Sequence, residues 1–325
     1  YLVKDPERLA RTMHEAFHVA SSGRPGPVVI DLPKDILVGK APYLEPSQVQ
    51  HRTYNPVVKG DRGQIEQALE LLASAKIPIT LTLMGLGAYP ASDKQHLGML
   101  GMHGTYEANM AMHDCDVMFA VGARFDDRVT GNLDFFAPGS QKVQIDIDPS
   151  SINKNVPVDI GIVGDIGHVL EDMIKIWKAK QYKLDAAALD GWWKEIEGWR
   201  EKHCLSYKQP KDVIKPQHVI RRVHALTRDR KTYITTDVGQ HQMWAAQHFG
   251  FEHPYEWMTS GGLGTMGYGM PAALGVQVAH PDATVVCFTG DASIMMNIQE
   301  CATMTQYRLP IKTVILNNRY MGMVR

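Results

Sequence analysis

Apolar positions recur along the chain with two different periods, and their alternation sets the expected architecture. Leu9, Met13, Phe17 and Ala20 fall at helical spacing, and Asp5-Pro6 supplies an N-cap and a first-turn proline, so residues 5–20 are predicted to form a helix. Gly23-Arg24-Pro25-Gly26-Pro27 then interrupts the chain ahead of Val28-Val29-Ile30-Asp31-Leu32, a short apolar run that reads as a buried strand. From Val38 to Asn55 periodicity fades, and Pro42, Pro46 and Pro56 mark a linker over a surface.

Beyond residue 60 the rhythm returns. A helix is predicted through Ile65, Leu69 and Leu72, with strands at Ile79–Leu83, Val117–Val121 and Lys142–Ile147. Residues 166–230 turn helical and rich in Lys, Glu and Trp (Trp177, Trp192, Trp193, Trp199), which suits a surface helix and a bridge. The remainder repeats the alternation with more glycine: strands at Thr232–Thr236, Thr284–Phe288 and Lys312–Leu316, and a helix between Ile294 and Tyr307. Strand and helix in alternation predict an α/β fold whose parallel sheets are covered on both faces.

Composition narrows the class. With 325 residues, 44% of them hydrophobic, the chain can bury more than one core and should divide into two or three domains. A formal net charge of -1, with both signs mixed along the sequence, leaves no basic stripe to hold nucleic acid. Cys115, Cys204, Cys287 and Cys301 form no C-x-x-C pair, which fits a reducing compartment. No apolar run reaches the roughly 18 residues that span a membrane, and no signal-peptide core is present at the start, so a cytoplasmic location is the default. The sequence starts at Tyr1 without Met and stops at Arg325 directly after a strand-like run, so it is expected to be cut from something longer.

The candidate chemistry sits where predicted strands end. Thr284–Phe288 runs into Thr289-Gly290-Asp291-Ala292-Ser293, and Lys312–Leu316 runs into Asn317-Asn318-Arg319-Tyr320. In parallel α/β sheets ligands bind beyond the carboxyl ends of the strands. Asp291 and Asn318 offer hard oxygens, Gly290 lets the backbone approach a phosphate, and a following helix N-terminus favours its charge. Magnesium with a diphosphate would use all of these groups. The bland alternative is that Asp291 caps a helix and Asn317-Asn318 makes a turn. A different ligand is suggested by Gly262-Leu263-Gly264-Thr265-Met266-Gly267, which matches the dinucleotide pattern G-x-G-x-x-G; the preceding Tyr255–Thr259 is short and polar for a buried first strand, and a nicotinamide site leaves Asn317-Asn318 without a task.

Gly-Asp-x-Ser, a helix and a closing Asn-Asn resemble the signature of thiamine-diphosphate (ThDP) enzymes, with Ala292 where the general pattern has Gly. Other segments resemble the acetohydroxyacid synthase branch of that family. The Asp237–Met243 loop resembles the one that contacts the cofactor diphosphate, which carries Gly239, Gln240 and His241 over to ThDP beside Gly290, Ala292 and Ser293. The Gly261–Gly267 loop resembles the one that bends thiamine and holds its aminopyrimidine, giving those roles to Met266 and Gly264. The metal set implied is Asp291, Asn318 and the backbone carbonyl of Tyr320. The Gly98–Thr105, Gly122–Arg128, Ile145–Pro149 and Gly164–Ile166 segments stand in the family's order after Gly23–Pro27, and imply FAD contacts at Arg24, His103, Arg124, Asp146 and Asp165. They further imply a substrate channel at Lys34, Met102, Asp127 and Arg128. Taken singly, His103 is equally a loop residue, and Asp126-Asp127-Arg128 a surface ion pair worth under about 1 kcal/mol.

The resemblance implies Rossmann-like, parallel-sheet domains of the ThDP-enzyme type. Residues 1–37 would be the C-terminal remnant of a pyrimidine-binding domain, 38–56 a linker, 57–180 a central FAD-type domain, 181–215 a helical linker, and 216–325 a truncated diphosphate- and magnesium-binding domain. Two departures stand out. Ala75-Lys76-Ile77-Pro78 abuts Ile79–Thr82 where the family has a further β-α unit carrying part of the flavin pyrophosphate site. The family's activating Glu lies outside these residues, so no catalytic residue is assigned and the piece is expected to be inactive alone. The implied activity is decarboxylation of pyruvate and its joining to a second 2-keto acid, pyruvate or 2-ketobutyrate, in branched-chain amino-acid synthesis. Implied partners are a second copy in a homodimer or homotetramer and a regulatory small subunit. The alternatives are another ThDP-dependent decarboxylase or oxidase, and a non-catalytic ThDP-binding remnant.

Overall fold

The computed structural model describes residues 1–45, 54, 56–73, 77–183 and 185–324. Residues 46–53 and 55 of the expected 38–56 linker, and the Ala75-Lys76 junction, lie outside them. Along the chain the helices and strands begin with α1 (Leu9–Ser21), α2 (Lys34–Val38), α3 (Arg62–Ala73), β1 (Ile79–Leu81), β2 (His96–Met99) and α4 (Tyr106–Asp114). There follow β3 (Val117–Val121), α5 (Asp127–Thr130), β4 (Gln141–Asp146), β5 (Ile160–Val163), α6 (Ile166–Lys180), α7 (Ala186–Arg200) and α8 (Pro216–Thr227). The last are β6 (Thr232–Thr236), α9 (Gln240–His248), β7 (Trp257–Thr259), α10 (Gly269–Ala279), β8 (Thr284–Gly290), α11 (Asp291–Met296), α12 (Glu300–Gln306) and β9 (Lys312–Leu316). They divide into two compact units: residues 1–75, 116–126 and 139–185 form the first, and 76–115, 127–138 and 186–325 the second.

In the first unit β3, β4 and β5 make a parallel sheet in that order, with Val121 opposite Ile145 and Asp146 opposite Val163. Ile65 of α3 and Val169, Met173 and Ile176 of α6 pack on Val143, Ile145 and Ile162 as one buried cluster. Asp165 caps α6 by accepting the His168 N–H at 3.2 Å, satisfying one of the donors a helix start leaves open. The first predicted helix is present as α1, preceded by a short 3-10 turn at Pro6–Arg8 whose N-cap Asp5 accepts from the Glu7 N–H.

The buried strand expected at Val28–Leu32 does not form. Only an isolated bridge links Leu2 to Asp31, and Val29 is 78% exposed. A strand is completed by a neighbour's ladder, which Leu2 alone does not supply.

The second unit is built on a parallel four-stranded sheet in the order β7-β6-β8-β9. The period of two is plain in β8: Val286 and Phe288 join Ile234, Phe249, Phe251 and Trp257 on one side, while Val285 and Cys287 join Ala273 and Leu274 of α10 on the other. β1 and β2 form a separate parallel pair, and Thr82 stops β1 by accepting the Gly85 N–H at 3.2 Å in a 3-10 turn, so the strand is shorter than predicted. The helix expected from Ile294 to Tyr307 is broken into α11 and α12. Asn297 lies between them and donates from its side chain to the Gly267 carbonyl at 2.7 Å, leaving helical geometry to make that tertiary bond.

Candidate functional site

Because β6, β8 and β9 run parallel and in register, Thr236 opposite Phe288 and Gly290 opposite Leu316, their carboxyl ends come out on one edge of the second unit's sheet. Three polar segments leave that edge together: Asp237-Val238-Gly239 into α9, Asp291-Ala292-Ser293 into α11, and Asn317-Asn318 after β9. The loop between β7 and α10 contributes Gly264 and Met266. The result is one open cleft at the carboxyl ends of the strands, lined from all of these segments.

Every residue assigned from sequence to ThDP or metal lines this cleft: Gly239, Gln240, His241, Gly264, Met266, Gly290, Asp291, Ala292, Ser293, Asn318 and Tyr320. Val238, Trp244, Leu316, Met321, Gly322, Met323 and Val324 line it as well and were not singled out. Val238 lies inside the Asp237–Met243 segment and Trp244 directly follows it, so both were legible only as neighbours of the assigned residues.

Internal bonds fix the lining. Ser293 donates its hydroxyl to the Val238 carbonyl at 3.1 Å, tying α11 to the β6 loop. Asn318 donates Nδ2 to Gln240 Oε1 at 2.9 Å, and its Oδ1 accepts the Tyr320 N–H at 3.0 Å. A Cβ on Gly290 would lie 2.8 Å from His241 Nδ1, so glycine is what admits the imidazole beside the strand end. His241 is buried, and its Nε2 finds no hydrogen-bond partner within the protein. Burial pushes this imidazole below its ordinary value, against the opposing pull of Asp237 and Asp291.

An unmet ring nitrogen on a residue that lines the cleft invites a ligand atom. Among the described residues no group of three or more His, Cys, Asp or Glu side chains could hold a metal ion. A cation at Asp291 therefore has to draw on neutral oxygens such as Asn318 and the Tyr320 carbonyl, together with ligand phosphates, which is how magnesium is commonly held. The residues present fit Mg²⁺ with a diphosphate.

The other sequence-assigned residues fall in separate places. In the first unit, Arg124 and Asp165 follow the carboxyl ends of β3 and β5, Asp146 is the last residue of β4, and Arg24 reaches Asp148 at 4.0 Å. Arg124 pairs with Asp126, and Asp146 is buried and accepts the Asp148 N–H at 2.9 Å. Lys34 opens α2 of the same unit. In the second unit, Met102 donates its N–H to the Arg128 carbonyl at 2.8 Å, the His103 carbonyl accepts from Gln247 at 2.8 Å, and Arg128 and Asp127 are 3.8 Å apart. Burial, and then the charge of Arg128, lower the basicity of His103.

The dinucleotide alternative fails on topology. β7, the strand ahead of the Gly262–Gly267 loop, sits at the sheet edge, and β6 separates it from β8. A dinucleotide fold places the strand after its glycine loop beside the strand before it.

The sequence matches two family models, the thiamine pyrophosphate enzyme central domain over residues 57–173 and the C-terminal TPP binding domain over residues 237–325. The chain belongs to the thiamine pyrophosphate enzymes. Within that family it is 50% identical to the acetolactate synthase isozyme 3 large subunit of Escherichia coli (strain K12), over the whole chain and 62% of that protein. It is 48% identical to the acetolactate synthase large subunit of Haemophilus influenzae over 61% of its length, and 42% identical to that of Porphyra purpurea over 59%. The chain thus spans about three-fifths of the curated relatives it matches. Those alignments run over 354 positions against 325 residues here, so the relatives carry positions without a counterpart in this sequence.

Proposed function

We propose that this chain carries the Mg²⁺ and ThDP diphosphate site of an acetolactate synthase large subunit. The observation that supports it is the gathering of residues from four separated segments, Gly239 to His241, Gly264 to Met266, Gly290 to Ser293 and Asn318 to Tyr320, around one cleft. Asp291, Asn318 and the Tyr320 carbonyl would hold the metal, and His241 and Gln240 would face the diphosphate. Met266 would wedge against the cofactor rings, a task suited to a polarizable thioether. ThDP, when bound, supplies the electron sink for cleaving CO₂ from a 2-keto acid.

The reaction would be decarboxylation of pyruvate and carboligation to a second 2-keto acid, with Lys34, Met102, Asp127 and Arg128 along the substrate path. Arg128 offers a planar fork for a keto-acid carboxylate. Arg24, His103, Arg124, Asp146 and Asp165 would contact FAD, and the sequence junction near residue 75 would remove part of its pyrophosphate site. The boundaries 1–37, 38–56, 57–180, 181–215 and 216–325 serve as the proposed domain plan. A cytoplasmic homodimer or homotetramer with a small regulatory subunit completes the reading. No described helix is long and apolar enough to cross a membrane.

Calorimetric titration of the chain with ThDP and Mg²⁺, set against Asp291→Ala, tests the proposal. Saturable binding that the variant loses is the expected result; equal binding by both proteins would remove Asp291 from the metal site and the reading with it.

A further inference from the structure

Directly beneath the cleft lies a carboxylate that none of the assignments above uses. Asp237 is fully buried. Its Oδ1 accepts the Gly269 backbone N–H at 2.8 Å, and its Oδ2 accepts the Thr289 hydroxyl at 2.5 Å. Gly269 is the first residue of α10, the helix entered from the loop that carries Gly264 and Met266. Thr289 stands two residues before Asp291, at the end of β8. One side chain at the end of β6 thus bonds to both halves of the site.

We infer that Asp237 is a positioning residue that sets the Gly264–Met266 loop at a fixed distance from the diphosphate and metal end of the cleft; the inference rests on the proposed ThDP reading. A Cβ on Gly269 would lie 2.7 Å from the Asp237 nitrogen and 2.8 Å from the Thr236 carbonyl carbon, so the start of α10 sits against the strand end with no room for a side chain. The loop has other attachments. Gln242 donates to the Ser260 carbonyl at 3.3 Å at its start, Asn297, just past the helix that Asp291 opens, donates to the Gly267 carbonyl at 2.7 Å, and the Thr235 hydroxyl donates to the Gly269 carbonyl at 2.9 Å. Asp237 differs from these in bonding to Gly269 and to β8 through one side chain. Without the carboxylate the two donors fare differently. The Thr289 hydroxyl retains the Gly290 carbonyl at 3.3 Å, whereas the Gly269 N–H would lose a charged acceptor in a buried place. The cost falls on the loop side, because an unmet buried donor is expensive and a bond to a charged acceptor is stronger than a neutral one.

On the proposed reading ThDP would engage both halves of the cleft and inorganic pyrophosphate only one, which gives the test. In Asp237→Ala the affinity for ThDP with Mg²⁺ should fall about tenfold or more, and that for Mg²⁺-pyrophosphate should stay within about twofold. Asp237→Asn keeps an acceptor for Gly269 and presents an amide N–H to Thr289, so it should bind ThDP within about threefold of the unmutated chain. Hydrogen exchange should quicken over residues 261–269 in the alanine variant and leave β6 and β8 protected. ThDP binding unchanged in Asp237→Ala, an equal loss for pyrophosphate, or no recovery in Asp237→Asn would overturn the inference. If the alanine variant does not fold, Asp237→Ser carries the same comparison. Failure of the unmutated chain to bind ThDP would sink the functional reading instead, and the exchange measurement, which needs no cofactor, would still decide the positioning role.

Discussion

Asn318 and Gln240, which leave different strands of the same sheet, meet through a 2.9 Å hydrogen bond from Asn318 Nδ2 to Gln240 Oε1. Since Asn318 Oδ1 also accepts the Tyr320 N–H at 3.0 Å, both ends of its amide are held and its orientation is set by the protein before any ligand arrives. Preorganisation of this kind lowers the entropy lost on binding. Gln240→Ala should let the Asn318 amide rotate and weaken Mg²⁺-ThDP binding about three- to tenfold, with Asn318→Ala weaker still. Trp244 lines the cleft, so quenching of tryptophan fluorescence during the titration reads both variants.

Gly290→Ala probes the space that His241 needs. The added Cβ would sit 2.8 Å from Nδ1 and 2.9 Å from Cε1 of an imidazole that is itself buried. The ring has to move, at a stability cost of about 1–3 kcal/mol and with ThDP affinity reduced about tenfold or more. A control comes from Gly275, exposed within α10, where a Cβ would meet no atom within 4 Å. Gly275→Ala should stabilise the chain by about 0.5–1 kcal/mol and leave binding unchanged. Urea unfolding alongside calorimetry separates the two effects.

These two glycines also mark what the sequence could and could not disclose. Gly290-Asp291 was legible because a buried strand ending in polar residues leaves little choice of where its chemistry lies. Asn318 was legible for the same reason, one strand further on. β2, with Gly98 inside it, and β5 span four residues each, too few to impose a period of two, and Tyr255–Thr259 around β7 reads as short and polar for a buried strand. The Val28–Leu32 strand was misread because an apolar run specifies burial without naming a partner. The break at Asn297 could not be foreseen, since helical spacing runs on past it and its cause is a bond to Gly267, remote in sequence. Asp237 escaped notice for a related reason: its donors, Gly269 and Thr289, have nothing in their identities to announce the contact.

Thiol chemistry should sort the cysteines by depth. Cys287 is fully buried in β8, and burial pushes its thiol up to about 12, so almost no thiolate is present at neutral pH. Cys301 and Cys204 are exposed. A maleimide or disulfide reagent applied to the native chain should therefore modify Cys301 readily and spare Cys287 until denaturant is added. Peptide mapping of the labelled sites checks the order. Early labelling of Cys287 would mean that the β6-β8 centre opens on the timescale of the reagent.

His248 should make stability depend on pH. It closes α9 in a T-shaped contact with Tyr207, 6.0 Å between centroids, and its buried Nδ1 finds no hydrogen-bond partner. Burial, and then the charge of Arg221, lower its pKa from 6.5 to about 4. The folded chain thus holds this imidazole neutral where the unfolded chain protonates it. Below its unfolded value the unfolded state binds the extra proton, so stability declines as pH falls from about 6.5 towards 4 and changes little from this source above 7. The loss should reach up to about 3 kcal/mol across that window. His248→Gln cannot titrate and should flatten that part of the curve when urea midpoints are compared at successive pH values. Arg221→Gln should narrow the window and leave it in place, because burial is the larger cause and remains. An unchanged slope in His248→Gln would assign the pH dependence to another group.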